Sequence, residues 1–139
     1  MLIFSKIVVA YLLLLTIFVI APNASAASDV NIDEFYALGG GSGDPDWIVI
    51  YNGTNAKIEL GNWLIRDSTE SNKVELEGAI CANNYRKFEF SNRLNNSGDK
   101  IRLINTNGTT VEEIEYFSDS VPSHVEGQST KRQQVSNTW

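Results

Sequence analysis

The chain has 139 residues and carries 11 Lys and Arg against 17 Asp and Glu, a formal net charge of −6 at neutral pH. This length points to one domain at most, and the acidic balance argues against general binding of nucleic acid or anionic lipid. A single cysteine excludes an intrachain disulfide, and a single histidine excludes any site that needs two imidazoles.

Residues 1–26 have the features of a secretory signal peptide. Lys6 precedes an apolar run over residues 7–21, and the small-residue pattern Ala-Ser-Ala at 24–26 predicts cleavage between Ala26 and Ala27. The run is shorter than the ~20 residues of a spanning helix, so an uncleaved membrane anchor is the weaker alternative. Cleavage removes Lys6, leaves 10 basic against 17 acidic residues and predicts a secreted or cell-envelope protein of net charge −7.

Short strand patterns separated by turn signals follow the leader. Residues 30–35 alternate at first and then lose the alternation, and residues 39–46 form a glycine-rich loop. Residues 46–51 carry apolar side chains on both faces: Trp47, Val49 and Tyr51 share one face, and Ile48 and Ile50 share the other. This pattern is typical of a central strand in a packed sheet.

The remaining strand patterns predict a β-sandwich over residues 27–139. They lie at 58–60, 63–67, 74–76, 85–90, 100–104 and 111–116. Asn107-Gly108 is the strongest hairpin signal and joins the last two. Residues 118–139 are polar and are predicted to be loop-like. Seven to eight short strands without a sustained helical period therefore indicate an all-β fold.

Three segments, in this order, resemble the lamin-tail domain family. Residues 46–52 (DWIVIYN) are similar to its E-W-I-E-L-Y-N strand, residues 58–67 (IELGNWLIRD) to its segment with a Trp and a closing Asp, and residues 94–103 (LNNSGDKIRL) to its L-x-N-x-G-D-x-v-x-L segment. Residues 78–92 depart most from the family pattern. The matching positions, including the closing stretch, are Trp47, Tyr51, Asn52, Trp63, Asp67, Leu94, Asn96, Gly98, Asp99, Leu103, Ser129 and Arg132, with Trp139 as a fitting terminal tryptophan.

The resemblance implies an immunoglobulin-like sandwich that acts as an interaction or accessory module. In nuclear lamins the domain contacts proteins and chromatin, and in prokaryotes it appears in exported proteins, alone or beside hydrolases. We therefore expect a non-catalytic binding module without a cofactor, at the cell surface or in the medium, whose partner is a protein or an envelope component. A self-assembling surface protein and an accessory domain for a separately encoded hydrolase or nuclease are the alternatives.

Acidic residues and one histidine are the candidates for catalysis or metal binding. Asp44 and Asp46 could hold calcium, although a turn stabilised by its own aspartates is the more usual arrangement. Glu113 and Glu115 share a strand face, with Glu112 on the face of Ile114, and a solvated edge strand is favoured over a glycosidase pair. His124 is expected to be a solvated or capping loop residue.

Aromatic, thiol and amide side chains give three further expectations. Trp47 and Trp63 are predicted to be core residues rather than a sugar-stacking platform, while Trp139 is freer. Cys81 is expected to be a small buried residue at a strand edge, with intermolecular pairing or a reactive thiol as the alternative. Glycosylation sequons begin at Asn52, Asn95 and Asn107, all at predicted turns, and matter only in a host that glycosylates exported asparagines.

Overall fold

The computed structural model describes residues 29–37, 45–91, 93–117, 122, 125, 127–133 and 138–139. The predicted leader with its cleavage point at Ala26 and Ala27 lies outside the described residues, as do Asp44 and His124. Within the described ranges, no helix has the length and apolar character that crossing a membrane requires.

Ten strands form two four-stranded antiparallel sheets and one short ladder. Sheet I has the order β10-β1-β2-β7, sheet II has the order β5-β4-β8-β9, and β3 pairs with β6. The strands are β1 (Val30–Tyr36), β2 (Trp47–Asn52), β3 (Ile58–Glu59), β4 (Leu64–Arg66), β5 (Lys73–Glu75), β6 (Ala79–Ile80), β7 (Asn84–Glu89), β8 (Gly98–Ile104), β9 (Thr110–Phe117) and β10 (Ser129–Lys131). The all-β prediction is therefore confirmed.

The core lies between the two sheets because the inner faces of their central strands are apolar. In β2 the buried residues Ile48 and Ile50 alternate with half-buried ones, and in β8 Ile101 and Leu103 point inward. Full burial of an aliphatic side chain of this size contributes about 1.5–3 kcal/mol to folding. The fully buried aromatic residues Phe35 and Tyr116 join the sheets, with ring centroids 4.6 Å apart.

A β-bulge explains why the alternation breaks in the first strand. The pairing of β1 with β2 shifts register between Ile32 and Glu34, so Asp33 is the extra residue. The shift places Ile32 and Phe35 on the core side although they are three positions apart. The predicted loss of alternation within residues 30–35 thus marks a structural feature and not the end of the strand.

The hairpin between β8 and β9 forms where Asn107-Gly108 predicts it. Gly108 has a φ of 77°, which glycine adopts without steric cost. The side-chain oxygen of Asn105 accepts hydrogen bonds from the backbone N–H groups of Asn107 and Thr109, both at 3.0 Å. This turn fixes the register in which Ile101 lies opposite Ile114.

The structure has ten strands, whereas the sequence predicts seven to eight. β6 consists of two residues, and β10 lies in the stretch over residues 118–139 that is predicted to be loop-like. The loop prediction is therefore wrong for β10, which pairs antiparallel with β1 from Ser129 to Lys131. Its residues, Ser-Thr-Lys, have no apolar alternation by which a sequence pattern would detect a strand. This edge strand is held by backbone pairing with β1 and by the contacts of Arg132, which follows it.

Candidate binding face

Asn52 is the last residue of β2. It is fully buried, and its side chain organises the turn that follows. Its side-chain nitrogen donates hydrogen bonds to the carbonyls of Ala56, Ile80 and Cys81 at 2.8, 3.0 and 3.1 Å. Its side-chain oxygen accepts from the backbone and the hydroxyl of Thr54. Asn52 therefore has a structural role, and burial removes the first sequon from solvent in the folded protein.

Two motif aspartates hold loops at the end of sheet II. Asp67 accepts hydrogen bonds from the backbone N–H and the hydroxyl of Thr69, both at 2.7 Å, and from the side chain of Asn72. Asp99 accepts from the backbone N–H groups of Ser68 and Asn95 at 3.1 Å. Each carboxylate replaces backbone partners that an irregular loop lacks.

Asp46 belongs to the same end of the molecule and is fully buried. Its carboxylate accepts the backbone N–H of Leu94 at 2.8 Å. The hydroxyl of Tyr116 donates to the carbonyl of Asn95, and burial, followed by the charges of Asp99 and Asp46, raises the pKa of this phenol. One of the two predicted calcium ligands thus orders the 94–99 loop, and the calcium hypothesis stays a prediction because Asp44 lies outside the described residues.

Arg132 links the end of sheet I to sheet II. Its guanidinium pairs with the carboxylate of Glu112, donates to the carbonyl of Ile32 at 3.2 Å and lies 4.8 Å from the ring centroid of Trp139. The backbone N–H of Ile32 donates to the same carboxylate. Trp139 in turn packs edge-on against Phe35, with centroids 5.7 Å apart. These contacts fix the position of β10.

The other motif positions divide between the core and the surface. Leu94 and Leu103 are buried, and Trp63 packs against the core, as predicted. Gly98 has a φ of 134°, and a side chain there would collide with the ring of Phe117. Asn96 is half-buried and Ser129 is exposed. Two motif residues that remain, Trp47 and Tyr51, lie on the outer face of sheet I.

The prediction that Trp47 is a core residue is wrong. It lies on the outer face of sheet I and stacks on its cross-strand neighbour Tyr36, with centroids 5.5 Å apart and planes 9° from parallel. The Lys87 ammonium lies 4.3 Å from the same ring centroid. Since Tyr36 is on β1 and Lys87 is on β7, they approach the indole from opposite sides.

A second aromatic pair lies further along the same face, beyond Val49. Tyr51 of β2 is the register partner of Tyr85 of β7, and their centroids are 4.6 Å apart. Tyr85 is 45% exposed, and burial together with the negative charge of Asp33 raises the pKa of its phenol. Tyr36, Trp47, Val49, Tyr51 and Tyr85 together form what we call the aromatic face.

The outer face of sheet II has the opposite character. Lys100 pairs with Glu113 at 2.9 Å, and Arg102 pairs with Glu70 at 2.8 Å, in exposed ion pairs of the kind that contribute little to stability. Glu113 and Glu115 are exposed on this face, as expected of an edge strand, whereas Glu112 is on the inner side with Ile114. The two outer faces of the sandwich are therefore chemically distinct.

The expectation that Cys81 is buried is also wrong. Its side chain is an exposed, free thiol in the turn between β6 and β7. The small residues on either side do not alternate regularly, so the apolar character of Ala-Ile-Cys-Ala does not reveal which of the four faces the core. Within the residues that the structure describes, no group of three potential metal ligands is brought together.

The fold and these contacts define an all-β sandwich of the immunoglobulin-like class. The family model described as Lamin Tail Domain matches residues 23–118. Because this match covers more than half of the chain, the chain belongs to the lamin tail domain family, a family of non-catalytic immunoglobulin-like domains. Comparison with curated proteins and with solved structures gave no significant match. β10, Arg132 and Trp139 follow the matched residues.

Proposed function

We propose that the chain is an exported, non-catalytic interaction module that binds a protein partner on the aromatic face. The observation that carries this proposal is the presence of two cross-strand aromatic pairs, Tyr36–Trp47 and Tyr51–Tyr85, on the outer side of sheet I. Tyrosine and tryptophan offer a large apolar area with a polar tip, and they are enriched where proteins meet.

The orientation of the rings favours a protein over a polysaccharide. A sugar ring stacks on the open face of an aromatic ring, but the face of Trp47 is occupied by Tyr36 on one side and by the Lys87 ammonium on the other. Because Tyr36 and Lys87 cover the faces of the indole, its edge is the part left for contact with a partner. Edges of this kind fit between side chains of a protein surface, as aromatic hot-spot residues do.

Charge and the leader support the remaining parts of the proposal. A net charge of −7 after loss of the leader disfavours nucleic acid and anionic lipid as general partners. Residues 1–26 supply the export signal. The sequence contains one histidine, so the carboxylates cannot form a site that needs two or more imidazoles. Sequencing of the N-terminus of protein recovered outside the cytoplasm tests export, with Ala27 as the expected first residue.

Site-specific photo-crosslinking tests the docking face. Benzoylphenylalanine is introduced at Tyr85 in producing cells and, as a matched control, at Glu115, which is exposed on the outer face of sheet II. We expect a discrete, protease-sensitive adduct from position 85 and none from position 115.

Other results would support an alternative partner or contradict the proposal. An adduct of twice the chain's mass from position 85 would indicate self-assembly, and an adduct sensitive to glycosidase would indicate a polysaccharide partner. Equal labelling from both positions, or no labelling from position 85, would contradict the aromatic face as the docking surface.

A further inference from the structure

We infer that the outer edge of β7 accepts an extended, acidic segment of the partner protein as an additional strand. This inference rests on the proposed function, and it adds the conformation and the charge of the partner segment. Strand addition uses backbone hydrogen bonds for affinity and side chains for selectivity. The observations concern the backbone groups of β7, its two basic side chains and its aromatic border.

The hydrogen-bond pattern shows which backbone groups of β7 point away from the sheet. The N–H of Phe90 donates to the carbonyl of Asp46 at 2.7 Å, so these two residues form a hydrogen-bonded pair. Because such pairs alternate along an antiparallel ladder, Arg86 and Phe88 also bond to β2, and the backbone groups of Lys87 and Glu89 point outward. Among the described residues, β7 has no second neighbour in the sheet.

Two adjacent basic residues make this edge unlike the rest of an acidic protein. Arg86 and Lys87 are both exposed, and neither has a carboxylate within 4.0 Å among the described residues, whereas the lysines at 57, 73, 100 and 131 all do. Arg86 donates to the carbonyl of Ala79 at 3.3 Å, and Lys87 lies over Trp47. The two side chains are on opposite faces of the strand, so they would meet two consecutive acidic residues of an added strand.

The same charges argue against a second copy of this chain as the added strand. An antiparallel pair of β7 strands would place Arg86 and Lys87 close to the same residues of the other copy, and like charges opposite each other destabilise a pair. Lysine on an edge strand is a known protection against such pairing. An acidic segment removes this repulsion, and its apolar residues would reach Tyr85 at the border of the aromatic face.

Binding of two synthetic peptides tests the inference. The probes are the capped peptide Thr-Val-Glu-Glu-Val-Thr and its partner with two lysines in place of the glutamates, titrated against the isotope-labelled exported protein. We expect the glutamate peptide to bind about tenfold more tightly at low salt, with the preference reduced at high salt. The amide resonances of Lys87 and Glu89 should move most, and those of β5, another edge strand, should not.

Variants separate the charge contribution from the backbone contribution. The double change Arg86→Glu and Lys87→Glu should reverse the preference in favour of the lysine peptide, while Lys73→Glu on β5 should leave it unchanged. Glu89→Pro removes one outward N–H and keeps both basic residues, so it should weaken binding of the glutamate peptide. A glutamate peptide that is N-methylated at alternate positions makes the same test without changing the protein.

The outcomes distinguish this inference from the proposed function. Equal binding of the two peptides, or resonance changes confined to β5 or to sheet II, would overturn strand addition at β7. If position 85 gives a protein adduct and strand addition is overturned in this way, the aromatic face remains supported as the docking surface. Only the inference of an extended acidic segment would then be wrong. Absence of the adduct together with peptide selectivity would contradict the docking face alone.

Discussion

Arg132 and Glu112 form an ion pair that joins the segment after β10 to β9, and both side chains are largely buried, with exposed fractions of 8% and 14%. The carboxylate also accepts the backbone N–H of Ile32 in β1. One glutamate thus holds a strand of each sheet and the arginine that follows the last strand. Three sequence-distant segments depend on this pair for their relative positions.

Replacing Arg132 with alanine should lower the free energy of unfolding by about 3–5 kcal/mol, because Glu112 is left as a buried charge without its ion-pair partner. Urea denaturation measures the change. Adding Glu112→Gln to Arg132→Ala should restore part of the loss, since the second change removes the uncompensated charge. A double variant that is less stable than Arg132→Ala alone would show that the pair is not the main cause.

The stability contributed by Glu112 should fall as pH rises. Burial raises the pKa of Glu112 above its ordinary value of 4.5, and its hydrogen bond and Arg132 oppose this only in part. Between the unfolded and folded pKa values the folded state binds more protons, so the contribution is fully present below the unfolded value and is lost as pH rises through the folded one. The difference in free energy of unfolding between the wild type and Glu112→Gln should therefore decrease from about pH 4 to about pH 8. Chemical denaturation at each pH measures it. An increase would contradict a raised pKa.

Asn52→Ala should lower the free energy of unfolding by about 2–4 kcal/mol, because the carbonyls of Ile80 and Cys81 lose their shared donor. Asn55→Ala is the matched control, since Asn55 is exposed in the same turn. The control should change stability by about 0.5 kcal/mol or less. Similar losses in both variants, measured by thermal unfolding, would remove the special role of Asn52.

Gly98→Ala should lower the free energy of unfolding by about 2–4 kcal/mol. The backbone φ of 134° disfavours any side chain, and the new Cβ would lie 2.1 Å from the ring of Phe117 and 2.8 Å from the carbonyl of Tyr116. Gly61→Ala has no atom within 4 Å of the new Cβ, so it should be neutral or stabilising by up to about 1 kcal/mol. Chemical denaturation of the two variants side by side provides the test.

The sequence predicts most of the strands, but it does not reveal which face of β2 lies against the core. Alternation in β2 separates Trp47, Val49 and Tyr51 from Ile48 and Ile50, yet both sets are apolar and either could face the core. Which face of β2 is buried depends on sheet II, and sheet II covers only the face with the isoleucines. For the same reason the family resemblance identifies Trp47 as an important position without revealing that its ring is on the surface.

The polar motif residues were visible in the sequence, but their partners were not. Asp67, Asp99 and Asn52 each act on backbone groups of loops, and such contacts leave no pattern that a strand or helix period detects. The pairing of Arg132 with Glu112 spans separate strands, and the exposed Cys81 lies in a short turn without clear alternation. Tertiary packing, which local patterns do not contain, determines all of these.

The pairing of β10 with β1 has a consequence for the time at which the protein can fold. Tyr36 pairs with Ser129 and Glu34 with Lys131, and Arg132 reaches the carbonyl of Ile32 across 100 positions of the chain. Sheet I therefore cannot be completed until residue 131 has been synthesised. The pairing of β1 with β2 and of β2 with β7 needs only residues up to 89, so β10 is the last strand to join sheet I. Until then the outer backbone groups of β1 have no native strand beside them, and an uncovered edge of this kind favours pairing with other chains.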